Sequence, residues 1–261
     1  MIRVEHLSKQ FVRDTSSRWK RGKSEVVQAV KNISFTADDG QITGLLGANG
    51  AGKTTTLRMI AALLKSDSGQ ILVDGLAVQA GEQLTQAQMG VLSDARGLYP
   101  RLSARENIVY YGMLHGMSRE QANARVDVLA DVLELKTLVE RRCDGFSQGE
   151  KMKTALARAL VHNPKNIILD EPTNGLDVLA TRALRDFLRW LRSPEGGSKC
   201  IIFSTHIMQE VERLCDHVVV VARGETVAQG SVQHLLDQVH ETDFENAFVK
   251  LAFDPKQERA A

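Results

Sequence analysis

Gly47-Ala48-Asn49-Gly50-Ala51-Gly52-Lys53-Thr54 is the stretch whose reading decides the fold. It fits G-x-x-x-x-G-K-[ST], a loop that belongs between a strand and a helix. Ile42-Thr43-Gly44-Leu45-Leu46 before it reads as a buried strand, and Thr55 to Leu64 after it reads as a helix. Glycines at 47, 50 and 52 allow backbone conformations that other residues avoid, so successive N–H groups can face one anion. The helix N-terminus adds partial positive charge, and Lys53 supplies a full one near the outer phosphates. The Thr54 hydroxyl is placed to ligate Mg2+. The expected nucleotide-binding set is therefore Gly47, Asn49, Gly50, Ala51, Gly52, Lys53, Thr54 and Thr55, with a nucleoside triphosphate and Mg2+ as cofactors.

Further along, Asn166-Ile167-Ile168-Leu169-Asp170-Glu171 is an apolar run that ends in two acids. In an open α/β sheet the ligand lies beyond the carboxyl ends of the strands, so both acids are expected near the phosphates. Asp170 would hold Mg2+, and Glu171 would face a water aligned on the γ-phosphate. Gly175-Leu176-Asp177 follows, with Asp177 also able to cap a helix from Val178. Cys200-Ile201-Ile202-Phe203-Ser204-Thr205-His206 is a second strand, expected beside the first, and it carries His206 as a second catalytic candidate.

Alternating short strands and helical stretches indicate an α/β sheet protein. Strands are expected at Ile2–Leu7, Ile33–Ala37, Gln70–Val73, Gly90–Leu92, Lys199–Ser204, His217–Val221 and Thr226–Gln229, the last two joined by the turn Ala222-Arg223-Gly224-Glu225. Between Ser103 and Leu138 the pattern is helical. Ser103…Glu106 and Ser118…Gln121 both match the capping box, and Ala122, Val126, Leu129, Ala130 and Leu133 form one apolar stripe. Arg13 to Lys23, with five basic residues against Asp14, reads as a solvated loop, with contact to acidic lipid head groups as the minority reading. The tail from Ser231 reads as a surface appendage with a helix at His234–His240.

Composition narrows the function classes. Hydrophobic residues at 43% and charged residues at 25% call for a packed core and exclude a disordered chain. Basic and acidic residues nearly cancel, 33 against 32, so no global basic excess points to nucleic acid. Cys143, Cys200 and Cys215 lack metal or disulfide spacing and read as reduced thiols. The N-terminus lacks a signal-peptide pattern, and the longest apolar runs are strand-length, so the chain is not expected to cross a membrane by itself.

Phe146-Ser147-Gln148-Gly149-Glu150 leads into a helix at Lys151–Val161 and is itself a capping box. A capped, glycine-containing helix start is also a phosphate site. Since the chain already has one such site, a second suggests completion by another molecule.

Taken in order, the Gly-rich loop, the capped Ser-x-Gly segment, the Asp-Glu strand end, Gly-Leu-Asp and the strand-end His resemble the nucleotide-binding subunits of ABC transporters, over essentially residues 1–230. The resemblance implies an α/β P-loop NTPase fold of the ABC-ATPase type. This has a mixed sheet core, an N-terminal antiparallel β subdomain and an inserted helical subdomain at about 95–162, and here a short helical extension at 231–261. It implies that the nucleotide is ATP, and it implies two ATPase subunits packed head to tail, so that Ser147 and Gly149, with Gln148 between them, meet the γ-phosphate held by the partner chain. Asp177 joins the ATP-binding set, and Phe11 falls where the family places an aromatic that stacks on adenine. Two departures stand out. The usual Leu-Ser-Gly-Gly-Gln reads Phe146-Ser147-Gln148-Gly149-Glu150, and the glutamine that usually senses Mg2+ is replaced by Asp94, expected to bind nucleotide and metal.

Gly97 to Asn107 and Asp243 to Leu251 look like segments of ABC-2-type exporters, and Ser93 to Tyr99 together with Phe146 to Glu150 is most like the sodium-export ATPases. The implied protein is a homodimeric ATPase on the cytoplasmic face of the inner membrane. It would be peripheral through a separate integral-membrane permease, with Na+ efflux as the cargo reading. The alternatives are an exporter of drug, lipid or polysaccharide, a soluble ABC-type ATPase with a non-transport partner, and a P-loop kinase. The last has no use for the Ser147–Gly149 helix start.

Overall fold

A computed structural model describes residues 1–14, 24–81, 83–93 and 97–253. The elements in chain order are β1 (Ile2–Asp14), β2 (Ser24–Ala37), β3 (Ile42–Leu46), α1 (Lys53–Ile60), β4 (Ser68–Val73), β5 (Leu76–Ala77), α2 (Gln83–Gln86), β6 (Met89–Leu92), α3 (Ala104–Leu114), α4 (Arg119–Val132), α5 (Gln148–Leu160), β7 (Asn166–Asp170), α6 (Val178–Arg192), β8 (Cys200–Thr205), α7 (Met208–Leu214), β9 (His217–Ala222), β10 (Glu225–Gly230), α8 (Val232–Val239) and α9 (Phe244–Phe253). The chain divides into two compact units. Unit 1 comprises 1–37, 43–82 and 204–261, and unit 2 comprises 38–42 and 83–203. Unit 2 is thus wider than the helical insertion expected at 95–162.

Unit 1 carries the strand order β5-β4-β1-β2-β10-β9-β3. It is a mixed sheet: β1 pairs antiparallel with β2 and β4, whereas β3 runs parallel to β9. β3 is buried throughout. A central strand covered on both faces reads as a near-continuous apolar run, interrupted here by the buried Thr43. The β9–β10 turn has Arg223 at φ 52° and Gly224 at φ 82°. Positive φ at both central residues is the type I′ pattern that fits strand twist, as the turn residues suggested.

Two expectations for unit 1 are corrected. β1 and β2 do not stop at Leu7 and start at Ile33. They continue as a hairpin, with Phe11 opposite Val27, Arg13 opposite Glu25 and Asp14 opposite Ser24. Arg13 is therefore in a strand, not a loop, and the rest of the basic segment, 15–23, lies outside the described residues. The tail is not a surface appendage either. Phe244, Ala247, Phe248 and Leu251 of α9 are buried in one cluster with Leu46, Val218 and Val220. Their i, i+3, i+4, i+7 spacing presents a single apolar stripe, and burying it is what holds the helix.

In unit 2, β6 pairs in parallel with β7, whose other neighbour is β8. α3, α4 and α5 each begin with a complete capping box, at Ser103/Glu106, Ser118/Gln121 and Ser147/Glu150. The stripe read on α4 is buried: Ala122, Val126, Leu129, Ala130 and Leu133 are all at most 5% exposed. Among the described residues no helix is long and apolar enough to cross a membrane.

Candidate nucleotide site

In unit 1, β3 delivers the chain into the glycine loop and α1 leaves it. A Cβ at Gly47 would sit 2.4 Å from the Val221 carbonyl oxygen, and one at Gly52 would sit 2.6 Å from the Ala29 carbonyl oxygen. Both positions are closed to any side chain by backbone atoms. Gly52 also has φ 107°, outside the range L-residues favour. The turn is braced from behind, since the Gly224 N–H donates to the Ala51 carbonyl (3.0 Å).

Gly52 is the N-cap of α1 and contributes no side-chain cap. The first turn of a helix has amides without intrahelical partners, and these with the macrodipole favour an anion. Lys53 is 4% exposed. Its Nζ donates to the Gly47 and Ala48 carbonyl oxygens (2.8 and 3.2 Å), so its charge is held directly over the loop. Thr54 and Thr55 are half-buried on the same first turn, whereas Asn49 and Gly50 are exposed at the loop's tip. A small pocket lies against that tip, walled by Asn49, Ala51, Arg223, Phe248 and Phe253. Nothing in the sequence analysis linked α9 to the phosphate loop.

His206 also belongs to unit 1. It is exposed and directly follows β8, as read from the strand. Phe11 is 41% exposed with Lys9 Nζ 5.7 Å from its ring centre. It is not a core phenylalanine, and an exposed ring on a hairpin is available to stack on a planar ligand. Asp94 lies outside the described residues.

In unit 2, Asp170 is the last residue of β7 and Glu171 the first beyond it, both half-buried. Glu171 has φ 47°, a left-handed conformation that costs a non-glycine residue of the order of 1–3 kcal/mol and is concentrated at functional sites. Its carboxylate accepts from the Asn174 side-chain amide, and its carbonyl oxygen accepts from the Asn174 N–H (3.2 Å). Asn174 is a contributor that the sequence reading passed over, since an Asn in a turn has no distinguishing pattern.

The start of α5 is closed. The Ser147 N–H donates to Glu150 Oε2 (2.6 Å) and the Glu150 N–H donates to Ser147 Oγ (3.2 Å). The Ser147 N–H bond holds the Glu150 carboxyl below the usual carboxylate range. Gln148 lies against Gly175, where a Cβ would be 3.0 Å from its Cγ, and Gly149 lies against Leu176 and Ala180. Asp177 caps α6 by accepting from the Ala180 N–H (2.8 Å). Ser147, Gly149 and Asp177 thus line one open groove, together with Arg182. The two expected partner-facing segments, far apart in sequence, are neighbours on one surface.

The family model for ABC transporters matches residues 30–174. ABC transporter ATP-binding protein NatA of Bacillus subtilis is 40% identical over 234 residues, covering 89% of this chain and 94% of that protein. Nod factor export ATP-binding protein I of Burkholderia lata is 39% identical over 210 residues, covering 80% of this chain and 67% of that protein. A solved structure of an ATP-binding subunit of an ABC transporter superposes with a TM-score of 0.80 at 26% identity, covering 96% of this chain and 98% of that one.

Proposed function

The chain belongs to the ABC transporter family, as one of its ATP-binding ATPase subunits, and from that premise we propose that it powers export through a separate membrane permease by dimerising on ATP. The observation that carries this reading is the start of α1, built on glycine, left without a side-chain cap and fitted with a buried lysine. A glycine-lined helix start with a cation held over it is a favourable site for the phosphates of a nucleotide.

In this reading the loop amides and Lys53 bind the β- and γ-phosphates, and Phe11 stacks on the adenine. Glu171 orients the attacking water and takes up its proton, and His206 holds the γ-phosphate side of the site. Ser147, Gln148, Gly149 and Asp177 act on the nucleotide held by the second copy. Thr54 and Asp170 offer a hydroxyl and a carboxylate, hard oxygen donors of the kind Mg2+ takes when phosphates complete its shell; Asp94 is a third. Bound there, Mg2+ would neutralise charge on the phosphates. ATP stabilises the closed pair and hydrolysis releases it, so the nucleotide biases a two-state partner.

Export as the direction is supported by the relative named for Nod factor export. Na+ as the cargo is supported only by the likeness of Ser93–Tyr99, with Phe146–Glu150, to sodium-export ATPases. Placement on the cytoplasmic face of the inner membrane, through the permease, follows from the same reading. The test is to recover the tagged chain from detergent-solubilised membranes, identify its integral-membrane partner and reconstitute the pair in vesicles. ATP-driven movement of 22Na+ that is lost with Glu171→Gln is expected. A pair that hydrolyses ATP without moving Na+ would leave the ATPase reading standing and turn the cargo towards drug, lipid or polysaccharide.

A further inference from the structure

Where β8 ends, the chain makes a sharp turn into α7, and His206 is the middle residue of that turn. Three hydrogen bonds fix its flanks. The Thr205 hydroxyl donates to Glu210 Oε2 (2.9 Å), the same hydroxyl accepts from the Ile207 N–H (3.0 Å), and the Glu210 N–H donates to the Ile207 carbonyl (3.2 Å). Thr205 is 2% exposed and Glu210 only 7%.

Burying a carboxylate is costly unless its bonds are made, and an apolar residue could pack beside Val211 and Leu214 without that penalty. The start of α7 has no side-chain cap of its own, because its N-cap is Ile207. The buried glutamate therefore serves the turn and not the core. We propose that Glu210 is a positioning residue for His206: through the Thr205 hydroxyl it locks the backbone on both sides of the histidine. The proposal rests on the catalytic reading of His206 given above.

The test is a double-mutant cycle on the full chain, with kcat and KM for ATP read separately. His206→Ala is expected to lower kcat about 100-fold. Glu210→Ala lowers it about tenfold, the scale of one hydrogen bond to a charged group, with KM within about twofold. Glu210→Gln keeps an acceptor and recovers kcat to within about threefold of the parent. Glu210→Ala placed on His206→Ala costs nothing further, because residues that act as a unit are not additive. If Glu210→Ala does not fold, Thr205→Val removes the hydroxyl at constant shape and takes its place in the cycle. Equal losses with and without His206 overturn the proposal and leave the catalytic reading of His206 intact. Full kcat in His206→Ala removes that reading, and the proposal with it.

Discussion

α1 and α5 both begin at a glycine-containing segment proposed to meet phosphate, and their first turns are finished in opposite ways. α1 starts at Gly52, left-handed and without a side-chain cap, under a lysine turned back onto the loop. α5 starts at Ser147 with both halves of a capping box in place. The first turn presents a glycine loop and a lysine, the combination that takes an anion. The second is satisfied by the chain itself and can offer a ligand only its outer surface, the groove shared with Asp177. One site should hold nucleotide alone, and the other should matter only when a second copy arrives.

Glycine replacement should separate the two most sharply. Gly52→Ala puts a Cβ against the Ala29 carbonyl at a φ that alanine resists, and should destabilise the protein by about 2–3 kcal/mol. Gly149→Ala meets only ordinary contacts at 3.9 and 4.0 Å within a helix, and should stabilise the monomer by about 0.5–1 kcal/mol. Thermal unfolding of both variants checks this; similar losses would erase the distinction.

Lys53→Ala should lower ATP affinity about 10–100-fold, as equilibrium binding would report, and should also lower the unfolding temperature, because its two hydrogen bonds to the loop carbonyls are lost. Unchanged affinity would remove the loop from the account.

Smaller effects belong to the closed helix start. Ser147→Ala should cost about 1 kcal/mol of stability without altering monomer ATP affinity. The Glu150 carboxyl titrates below its ordinary 4.5 in the folded chain. Its contribution is therefore present above pH 4.5 and is lost as pH falls through the folded value. Melting curves of the parent and Glu150→Gln should accordingly converge in acid.

Much of this was legible because strong local chemistry decided it. β3, β7, β8 and the β9–β10 hairpin are bounded by glycine or turn residues, and three capping boxes mark the starts of α3, α4 and α5. The far half of the β1–β2 hairpin was not legible. Phe11, Val12, Val26 and Val27 are exposed there by 41% or more, so no buried face imposes the alternation by which a strand is recognised. α9 did carry a readable stripe, but spacing alone does not say which surface will receive it. The left-handed Glu171 and the Thr205–Glu210 bond are tertiary outcomes with no sequence pattern of their own.

The central claim is that an open helix start on one chain and a closed one on another act on the same nucleotide. Light-scattering mass measurement of Glu171→Gln with MgATP tests it most directly. The account predicts a dimer with ATP and a monomer without it. With Ser147→Arg added, it predicts a monomer that still binds ATP with nearly unchanged affinity. A monomer of Glu171→Gln at saturating ATP, or a dimer indifferent to Ser147→Arg, would contradict it.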